Sequence, residues 1–528
     1  MDSRFLGALA LSACLTFPEI ALGAFGLTES GGRYTIDTGA GLVFKVNQAN
    51  GDITSLNFNG IEYQDSRRFS QINSGLGSAV VTGTIYGDSY IKITVTAGTL
   101  IHYYLARNGD ANIYMATYFS QEPSIGLVRY IVRIPSILLP NGPIPSDIRG
   151  NVGIVEAQDI FRMDDGTTRS KHYSNGRLLD WSFTGATGLG VGVFMVRSNH
   201  EGDSGGPFYR CLINQCGEDQ ELYEIVNYGE AQTEPFRLNM LNGPYALVFT
   251  DGSEPVVPLN TAWISGLGLQ GYVDRSDRGY AIGSVLGIPD GFQAVVGFAN
   301  AGAQYWSIVS NGNYTSPRMI PGVYTATLYK GELAVSSTSV SVLRSAKPVT
   351  LDLQSEESAP SLIWRIGDWD GTPAGMLNAD LVTYMHPSDV RMSWSPVSFT
   401  VGVDPVGNFP CYQWKDINNP TTIYFELTPD QVAAHTLRIG ITAAYAGGRP
   451  LVSLNSWTSG IPGPSNQPRT RMLTVGTYRG NNTTYTYRIP ESAFIAGTNT
   501  LVLTVVSGSG GTGFLSPGYS YDAVELDD

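Results

Sequence analysis

The sequence predicts an all-β protein built from several domains. The chain has 528 residues, of which 62 are glycine, and charged residues make up only 15% of it. Apolar and polar side chains alternate in short segments such as Ile91–Thr96, where isoleucine and valine would face one side of a strand. No long amphipathic helical patterns alternate with these segments, so a parallel α/β sheet is not expected.

Turn and helix signals fit this prediction. Asn50-Gly51 and Asn59-Gly60 lie between short apolar segments and are typical of β-hairpin turns. The apolar run Leu501–Val506 predicts a buried strand near the C-terminus. Thr428-Pro429-Asp430-Gln431 predicts a capped helix of about two turns.

Two polar breaks divide the chain into three domains. The first is the charged segment Val273–Gly279, and the second is the linker Gln354–Pro360. We therefore expect domains at residues 24–276, 277–355 and 356–528. The middle one has the length of a small immunoglobulin-like sandwich, and the last has strand patterns and aromatic loops that suit a jelly roll.

The N-terminus has the features of a secretion signal. A short charged start is followed by the apolar run Phe5–Phe17, and small residues around Ala21 and Gly23 would permit cleavage before Ala24. The apolar run is too short to span a bilayer. We expect residues 1–23 to be a signal peptide, the mature protein to be secreted and extracellular, and no membrane to be its partner.

The charge balance narrows the class of partner. The net charge is −14 and the isoelectric point is about 4.8, whereas nucleic-acid binding requires a basic face. No nucleic-acid partner is therefore expected, and we expect a monomer. Sequons at Asn313, Asn481 and Asn482 predict glycosylation of a secreted chain.

Cysteine usage suggests one disulfide and no zinc site. Three cysteines remain once Cys14 leaves with the signal. Cys211 and Cys216 are five positions apart and could close a small loop in an oxidising compartment. Cys411 is then left over as a buried thiol. No Cys/His spacing resembles a zinc site.

A structural calcium ion is the metal that the acidic residues of the last domain suggest. Its ligands would come from Asp368–Gly371, Asp522, Glu525, Asp527 and Asp528. Their spacing does not match an EF-hand loop, so carboxylates without a metal are the alternative. No cofactor is expected for the chemistry.

Lys171 is a candidate general base. It is one of six lysines, and it lies between Arg169 and His172 in the segment Thr168–Ser174. Like charges disfavour the ammonium form, and a lysine adjusted in this way can take up a proton near neutral pH. A solvated surface lysine is the alternative.

Arg129 and Arg133 are a candidate carboxylate clamp. They are four positions apart on the predicted strand Leu127–Arg133, so both side chains would project from one face. Two neighbouring guanidinium groups form a fork for carboxylates. Structural ion pairs with aspartate or glutamate are the alternative interpretation.

Two further segments have a weaker chemical signature. Glu230 and Glu234 follow the apparent strand Leu222–Val226 and could be acids or ligand-binding groups, although a solvated loop is the commoner explanation for such a run. Gly202–Pro207 spells the nucleophile loop of trypsin-like proteases. The matching histidine setting is missing around His102, so we predict a turn and no protease.

Together these segments resemble rhamnogalacturonan lyases of polysaccharide lyase family 4. The matching segments run through essentially the whole mature chain in the family's order: Arg129–Arg133, Thr168–Lys171, Ser204–Phe208, Gln232–Glu234, Arg365–Gly371 and His386–Asp389. The resemblance implies a large β-super-sandwich, then a fibronectin-III-like sandwich, then a jelly-roll domain of the carbohydrate-binding type. It also implies that the substrate is rhamnogalacturonan I of pectin.

The resemblance further implies a β-elimination at the rhamnose-(1,4)-galacturonate linkage. Lys171 matches the base that removes the uronate C5 proton. Arg129 and Arg133 match the groups that hold the carboxylate and stabilise its developing charge. The sugar rings would be contacted by further side chains, namely Tyr223, Tyr228 and His172.

The chain departs from the family at the acid. The family's histidine that protonates the leaving oxygen corresponds to Glu230 here. A carboxylic acid can donate a proton if burial raises its pKa. The alternatives are that His172 or His200 substitutes, that the protein is a non-catalytic pectin-binding relative, or that it acts on another uronate-containing glycan.

Overall fold

The structure is a computed structural model that describes residues 23–121, 127–171, 176–209, 214–228, 236–357 and 361–528. Strands dominate it, which confirms the all-β prediction. The helical segments in the described part are short 3-10 turns: Ile144–Ser146, Leu178–Asp180, Ala262–Ile264, Arg275–Asp277, Val406–Asn408, Pro429–Gln431, Met472–Val475, Glu491–Ala493 and Gly513–Leu515. Among the described residues, none of these helices has the length and apolar character to cross a membrane.

We use the predicted boundaries to name the N-terminal, middle and C-terminal domains. The strands of the N-terminal domain are β1 (Gly26–Ser30), β2 (Arg33–Asp37), β3 (Leu42–Asn47), β4 (Ile53–Phe58), β5 (Ile61–Glu62), β6 (Gln71–Ile72), β7 (Val80–Tyr86), β8 (Tyr90–Ala97), β9 (Leu100–Arg107), β10 (Asn112–Phe119), β11 (Leu127–Pro135), β12 (Gly153–Glu156), β13 (Ile160–Arg162), β14 (Thr168–Ser170), β15 (Phe183–Gly188), β16 (Val191–Arg197), β17 (Asn214–Cys216), β18 (Asp219–Tyr228) and β19 (Met240–Thr250).

These strands pair into antiparallel sheets stacked in layers. A seven-stranded sheet has the order β15-β16-β19-β10-β9-β8-β7, and a five-stranded meander runs from β1 to β5. A four-stranded sheet has the order β17-β18-β11-β6, and β12, β13 and β14 form a small separate sheet. We call the four-stranded sheet the arginine sheet, because β11 carries Arg129 and Arg133.

The main core lies where the seven-stranded sheet faces the meander and the arginine sheet. Ile91, Ile93 and Val95 of β8 are buried there, as their alternation predicted, and Tyr130 of β11 meets them from the arginine sheet. The other face of the seven-stranded sheet is covered by a second apolar cluster that includes Leu267. Apolar burial on both faces gives this domain its layered, super-sandwich build.

The predicted hairpin turns are confirmed, and the predicted helix is shorter than expected. Asn59 and Gly60 have φ angles of 51° and 84° and join β4 to β5, as a two-residue turn requires. Gly51, with a φ of 79°, lies in the turn between β3 and β4. The backbone N–H of Thr428 donates to Gln431 Oε1 at 2.9 Å, so the capped start is right. The helix itself ends after one 3-10 turn.

The middle domain is a two-sheet sandwich, as predicted. Its strands are β20 (Ala281–Leu286), β21 (Ala294–Ala299), β22 (Gln304–Ile308), β23 (Asn313–Thr315), β24 (Gly322–Lys330), β25 (Leu333–Val342), β26 (Val349–Thr350) and β27 (Leu353–Gln354). One sheet has the order β23-β20-β26, with β27 also on β20, and the other has the order β22-β21-β24-β25.

The C-terminal domain is a second and larger sandwich. Its strands are β28 (Leu362–Gly367), β29 (Ser398–Thr400), β30 (Tyr412–Trp414), β31 (Thr421–Leu427), β32 (His435–Tyr445), β33 (Arg449–Leu454), β34 (Trp457–Thr458), β35 (Thr483–Ile489), β36 (Gly497–Val506) and β37 (Gly518–Asp527). The sheets are β28-β37-β32-β35, with β30 on β37, and β29-β31-β36-β33-β34. The run Leu501–Val506 is a strand, as predicted, although alternate residues in it are only half-buried.

Buried carboxylates join the domains. Glu201 of the N-terminal domain accepts from the Tyr305 hydroxyl at 2.8 Å and pairs with Arg278 at 2.9 Å. Glu332 of the middle domain accepts from the Tyr478 hydroxyl of the C-terminal domain at 3.2 Å. Leaving a buried carboxylate without its partners lowers the stability of the fold by several kcal/mol, so these contacts fix how the domains lie on one another.

Candidate active site

The two faces of β11 lie in different surroundings. Val128, Tyr130 and Val132 point into the main core. Because successive side chains of a strand point to opposite faces, Arg129 and Arg133 lie together on the other face of the arginine sheet. The prediction that both guanidinium groups project from one face is therefore confirmed.

Arg133 is held by a neighbouring strand. Its Nε lies 3.3 Å from Glu221 Oε1 of β18, and its Nη1 donates to the Phe69 carbonyl at 2.7 Å. Both side chains of the ion pair are only 13% exposed. For Arg133 the structural ion pair, which was the alternative interpretation, is therefore present.

Arg129 has spare hydrogen-bonding capacity. Its Nη2 donates to Ser74 Oγ at 3.2 Å, and its guanidinium lies 5.6 Å from the centre of the Tyr223 ring. Its Nε is buried and has no hydrogen-bond partner among the described residues. A buried donor without a partner is uncommon, and it marks Arg129 as a candidate functional residue.

Tyr223 supports the arginines and does not offer an open ring to a sugar. It is only 3% exposed, which corrects the prediction that it stacks on sugar rings. Its hydroxyl donates to Glu221, and Glu221 also accepts from Arg133. Burial, together with the charge of Glu221, raises the pKa of this hydroxyl well above its usual value. The hydroxyl therefore stays protonated and holds Glu221 against Arg133.

Lys171 lies directly after β14 and forms an ion pair that the sequence did not predict. Its Nζ contacts Asp159 Oδ1, and each side chain is 23% exposed. The expected setting was basic, because Arg169 and His172 are its neighbours in sequence. The carboxylate of Asp159 corrects this expectation, since an opposite charge favours the ammonium form.

The C-terminal domain anchors the strand that carries Lys171. Asp389 Oδ2 accepts from the backbone N–H of Thr168 at 2.7 Å and from its hydroxyl at 2.9 Å. The N–H of His386 donates in turn to the Thr168 hydroxyl at 3.1 Å. Thr168 and Ser170 are buried, while Arg169 is half-buried. The alternation places Lys171 on the same side as Arg169, away from the anchored face.

Leu178, seven positions after Lys171, packs on the arginine sheet. The Leu178 N–H donates to the Tyr209 carbonyl at 3.1 Å. The Leu178 side chain packs in one cluster with Ile131, Tyr223 and Ile225. Ile131 lies between the two arginines on β11, so Leu178 packs at the arginine face.

This arrangement suits the binding of an anionic substrate followed by proton transfer. Arg129 can bind a carboxylate through charge-assisted hydrogen bonds. An amine such as that of Lys171 can take a proton once it is neutral. A guanidinium beside a carbon acid stabilises the negative charge that develops on it.

Comparison with known proteins decides the family. Residues 25–271 match the family described as rhamnogalacturonan lyase B, N-terminal. Residues 277–350 match domain II of polysaccharide lyase family 4, and residues 362–526 match its domain III. The chain belongs to polysaccharide lyase family 4.

Curated relatives of this family 4 lyase match it from end to end. The probable rhamnogalacturonate lyase A of Aspergillus fumigatus is 42% identical over 97% of both chains. The rhamnogalacturonate lyases A of Emericella nidulans and Aspergillus aculeatus are each 41% identical, over 98% and 99% of both chains. The match to a solved Paenibacillus xanthan lyase covers 96% of this chain and 52% of the xanthan lyase chain, at 10% sequence identity. Its TM-score of 0.25 is too low to support a conclusion.

Several predicted site residues of the family 4 lyase lie outside the described residues. These are His172, Glu230 and Cys211. Tyr228 ends β18, but its side chain is also outside the described part. Their predicted roles stay predictions.

His200, the other candidate acid, has a carboxylate partner. Its Nδ1 lies 2.7 Å from Asp203 Oδ2, and its ring stacks on Trp306 of the middle domain at 5.5 Å. Asp203 belongs to the protease-like segment, which forms a turn as predicted, with φ angles of 95° at Gly205 and 70° at Gly206. The segment therefore supports a histidine.

No sequence motif predicted the buried ion pair that lies beneath the arginine sheet. Arg197 Nε lies 2.7 Å from Glu224 Oε2, and Arg197 Nη2 donates to the Tyr223 carbonyl at 3.1 Å. Burial raises the pKa of Glu224, while Arg197 opposes that shift. The one signal in the sequence was an arginine at the end of the apolar strand Val191–Arg197.

The predicted disulfide would join Cys216 to Cys211, which lies outside the described residues. Cys216 lies on β17 as a free, buried thiol. Burial raises the pKa of this thiol to about 11, so it stays protonated. Cys411 is also a free, buried thiol, as predicted.

The carboxylates proposed for calcium have protein partners. Asp522 Oδ1 accepts from the N–H groups of Asp370 and Gly371 at 3.1 and 2.8 Å, and Glu525 pairs with Arg365 at 2.6 Å. Burial raises the pKa of Asp522 to about 8 and that of Asp370 to about 6. Among the described residues, no three His, Cys, Asp or Glu side chains are grouped to hold a metal.

The glycosylation sequons lie at different depths. Asn313 and Asn482 are exposed. Asn481 is half-buried, and its side-chain amide donates to the Asn466 carbonyl at 3.0 Å. Glycosylation stays a prediction, and Asn482 is the more accessible of the two adjacent sequons.

Proposed function

We propose that this protein cleaves the rhamnose-(1,4)-galacturonate linkage of rhamnogalacturonan I by β-elimination. The observation that carries this proposal is the half-buried Arg129, which forms no ion pair with any described residue and lies on the face where Leu178 packs. The end-to-end similarity to relatives named rhamnogalacturonate lyase A supports the choice of substrate.

Each residue has one step in this mechanism. Arg129, backed by the pair of Arg133 and Glu221, binds the uronate carboxylate and makes the C5 proton more acidic. The neutral amine of Lys171 takes that proton. The electrons of the C5–H bond form the C4=C5 double bond, and the bond from C4 to the rhamnose oxygen breaks. An acid protonates the departing oxygen, and Glu230 is our candidate for it.

A substrate panel tests the proposed reaction. The mature protein is incubated with rhamnogalacturonan I and, separately, with polygalacturonate, and the absorbance of the unsaturated uronate is followed. We expect the absorbance to rise with rhamnogalacturonan I and much less with polygalacturonate. New reducing ends without this absorbance would show a hydrolase and contradict the proposal.

The acid is tested by two substitutions at one position. Glu230→Gln keeps the size of the side chain but removes its proton, so we expect a large loss of kcat. Glu230→His restores the family's acid and should keep or raise kcat. Equal rates in all three proteins would exclude Glu230 as the acid and leave His172 and His200 as candidates.

A non-catalytic pectin-binding protein is the second candidate. The contact between Lys171 and Asp159 favours it, because a protonated amine binds an anion but accepts no proton. Such a protein would bind rhamnogalacturonan I without lowering its viscosity and without producing an unsaturated end.

We also propose that the protein acts outside the cell as a monomer. The signal-like residues 1–23 support secretion. Expression in a eukaryotic host should give a secreted chain that begins at Ala24, which N-terminal sequencing would show. Retention inside the cell would contradict this proposal.

A further inference from the structure

A cavity of about 520 Å³ lies between the N-terminal and middle domains. Its walls are the loop that follows β16, the segment 259–278, and residues of β22 and the loop before β24. Pockets that bind small ligands typically have volumes of roughly 300–1,000 Å³. The cavity is therefore large enough for part of a saccharide chain.

The lining of this cavity is cationic, although the chain as a whole has a net charge of −14. Arg275, Arg278 and Arg318 line it together with one carboxylate, Glu201. Glu201 is already paired with Arg278 and hydrogen-bonded by Tyr305. Two arginine charges are left without a carboxylate in the wall, so the cavity favours an anion.

Arg275 is the guanidinium with the greatest freedom to bind that anion. It is exposed, and it forms no ion pair with any residue that the structure describes. Arg318, by contrast, stacks on the Tyr280 ring at 4.3 Å and donates to the Ser345 carbonyl at 2.7 Å. An unpaired guanidinium at the mouth of a cavity matches the planar geometry of a carboxylate.

The remaining lining suits a sugar and not a small inorganic anion. Trp306 is half-buried and lines the cavity beside His200, which stacks on it. Asn199 and Asn260 also line the cavity. Apolar ring surface combined with a few amide and charged groups is typical of sites that bind organic ligands.

One residue of the cavity wall packs beneath the arginine face. Trp306 packs against the cluster of Ile131, Tyr223 and Ile225, and Tyr223 lies beneath Arg129. We propose that the cavity is an accessory binding site for a uronate-bearing saccharide, filled by a distal part of the chain that Arg129 holds. This inference rests on the proposed function for the identity of that chain.

Direct binding tests this site without any catalysis. The probe is a set of saturated rhamnogalacturonan oligosaccharides of increasing length, titrated by calorimetry into the Lys171→Ala protein. Adding Arg275→Gln should weaken the binding of long oligosaccharides by about tenfold, as expected for the loss of a charge-assisted hydrogen bond. The affinity for the shortest oligosaccharides should not change.

The control is Arg488→Gln, which removes the same charge from an exposed position on β35. It should leave every affinity unchanged. Trp306→Phe, which keeps an apolar ring, should weaken long-chain binding less than Arg275→Gln does. In the protein with an intact Lys171, Arg275→Gln should raise KM for long chains and leave kcat unchanged.

These measurements distinguish failure of the accessory site from failure of the proposed function. If oligosaccharides of every length bind the Arg275→Gln and parent proteins equally, or do not bind at all, the accessory site is wrong, whatever the enzyme cleaves. If the wild-type protein forms no unsaturated product but Arg275→Gln still loses long-chain binding, the proposed function fails and the accessory site stands.

Discussion

The Lys171 amine lies against the Asp159 carboxylate. An opposite charge in contact favours the ammonium form, whereas a general base must be neutral before it acts. In the proposed mechanism, the substrate carboxylate that binds Arg129 competes with the Asp159 carboxylate for the nearby positive charges. If Lys171 is the proposed base, the charge of Asp159 opposes that role.

Substituting Asp159 tests this interpretation. Asp159→Asn keeps the shape of the side chain but removes the charge that stabilises the ammonium. We expect the acidic limb of the kcat/KM profile to move to lower pH. Asp164→Asn is the matched control, because Asp164 is exposed in the connection between β13 and β14. It should leave the profile unchanged. An acidic limb that does not move in Asp159→Asn would show that Lys171 is not the titrating base.

At the scale of the element, β14 is a short strand held from both sides. It pairs with β13 along one edge, and Thr168 is bound by Asp389 of the C-terminal domain. Burial favours the neutral acid, but hydrogen bonds from Arg391 and Thr168 outweigh it and hold the pKa of Asp389 at about 2. Asp389 is therefore ionised at any working pH, and it positions the strand that presents Lys171.

Removing the contact between Asp389 and Thr168 should lower kcat without weakening the binding of the oligosaccharide. Asp389→Ala leaves the Thr168 N–H without its acceptor, which costs about 1–3 kcal/mol. We expect kcat to fall by tenfold or more, since small misplacements of a reacting group can cost up to about 10²-fold. Asp389→Asn keeps an acceptor oxygen and should restore much of kcat.

The readout that identifies a positioning role is oligosaccharide binding. The affinity of the Asp389→Ala protein for rhamnogalacturonan oligosaccharides should stay within about twofold of the wild-type value, because Arg129 is not touched. Asp416→Asn, an exposed substitution in the same domain, is the control. Equal losses of kcat and affinity in Asp389→Ala would instead indicate general damage to the fold.

At the scale of the whole molecule, one buried carboxyl group makes its contribution to the stability of the C-terminal domain depend on pH. Burial raises the pKa of Asp522 from 3.8 to about 8. The folded state therefore holds this proton more tightly than the unfolded chain does. The stability that it contributes is complete below pH 3.8 and is lost as the pH rises to about 8.

Asp522→Asn should remove this pH dependence. The amide is neutral at every pH and can still accept from the N–H groups of Asp370 and Gly371. Relative to wild type, its free energy of unfolding should rise by up to about 1.4 kcal/mol per pH unit across that window. Asp416→Asn again serves as the control. Parallel stability curves for Asp522→Asn and wild type, measured by denaturant unfolding, would contradict the protonated state of Asp522.

The parts of the fold that sequence could predict are those that local patterns determine. Alternation at Ile91–Val95 and the turn at Asn59-Gly60 depend on neighbouring residues, and both are confirmed. The shared face of Arg129 and Arg133 follows from strand geometry alone. The helix at Pro429 failed because the chain enters β32 after one turn, an outcome that sheet pairing decides.

The contacts that define the site join residues distant in sequence, and no local pattern specifies them. Asp389 meets Thr168 across 221 positions, and His200 meets Trp306 of another domain. Asp159 is close to Lys171 in sequence, but only the register of β13 and β14 brings the two side chains together. Domain packing and strand register had to be known before these partners could be identified.

The most direct test of the account compares Lys171→Ala and Lys171→Arg with wild type on rhamnogalacturonan I. The absorbance and mass of the products are measured together, with Arg488→Gln as a control for charge loss. We predict unsaturated products, each one water lighter than a hydrolysis product, from wild type and Arg488→Gln. Neither Lys171 variant should yield them at more than about 10⁻³ of the wild-type rate, although both should still bind the oligosaccharide. Unsaturated products at the wild-type rate from Lys171→Ala would contradict the central claim.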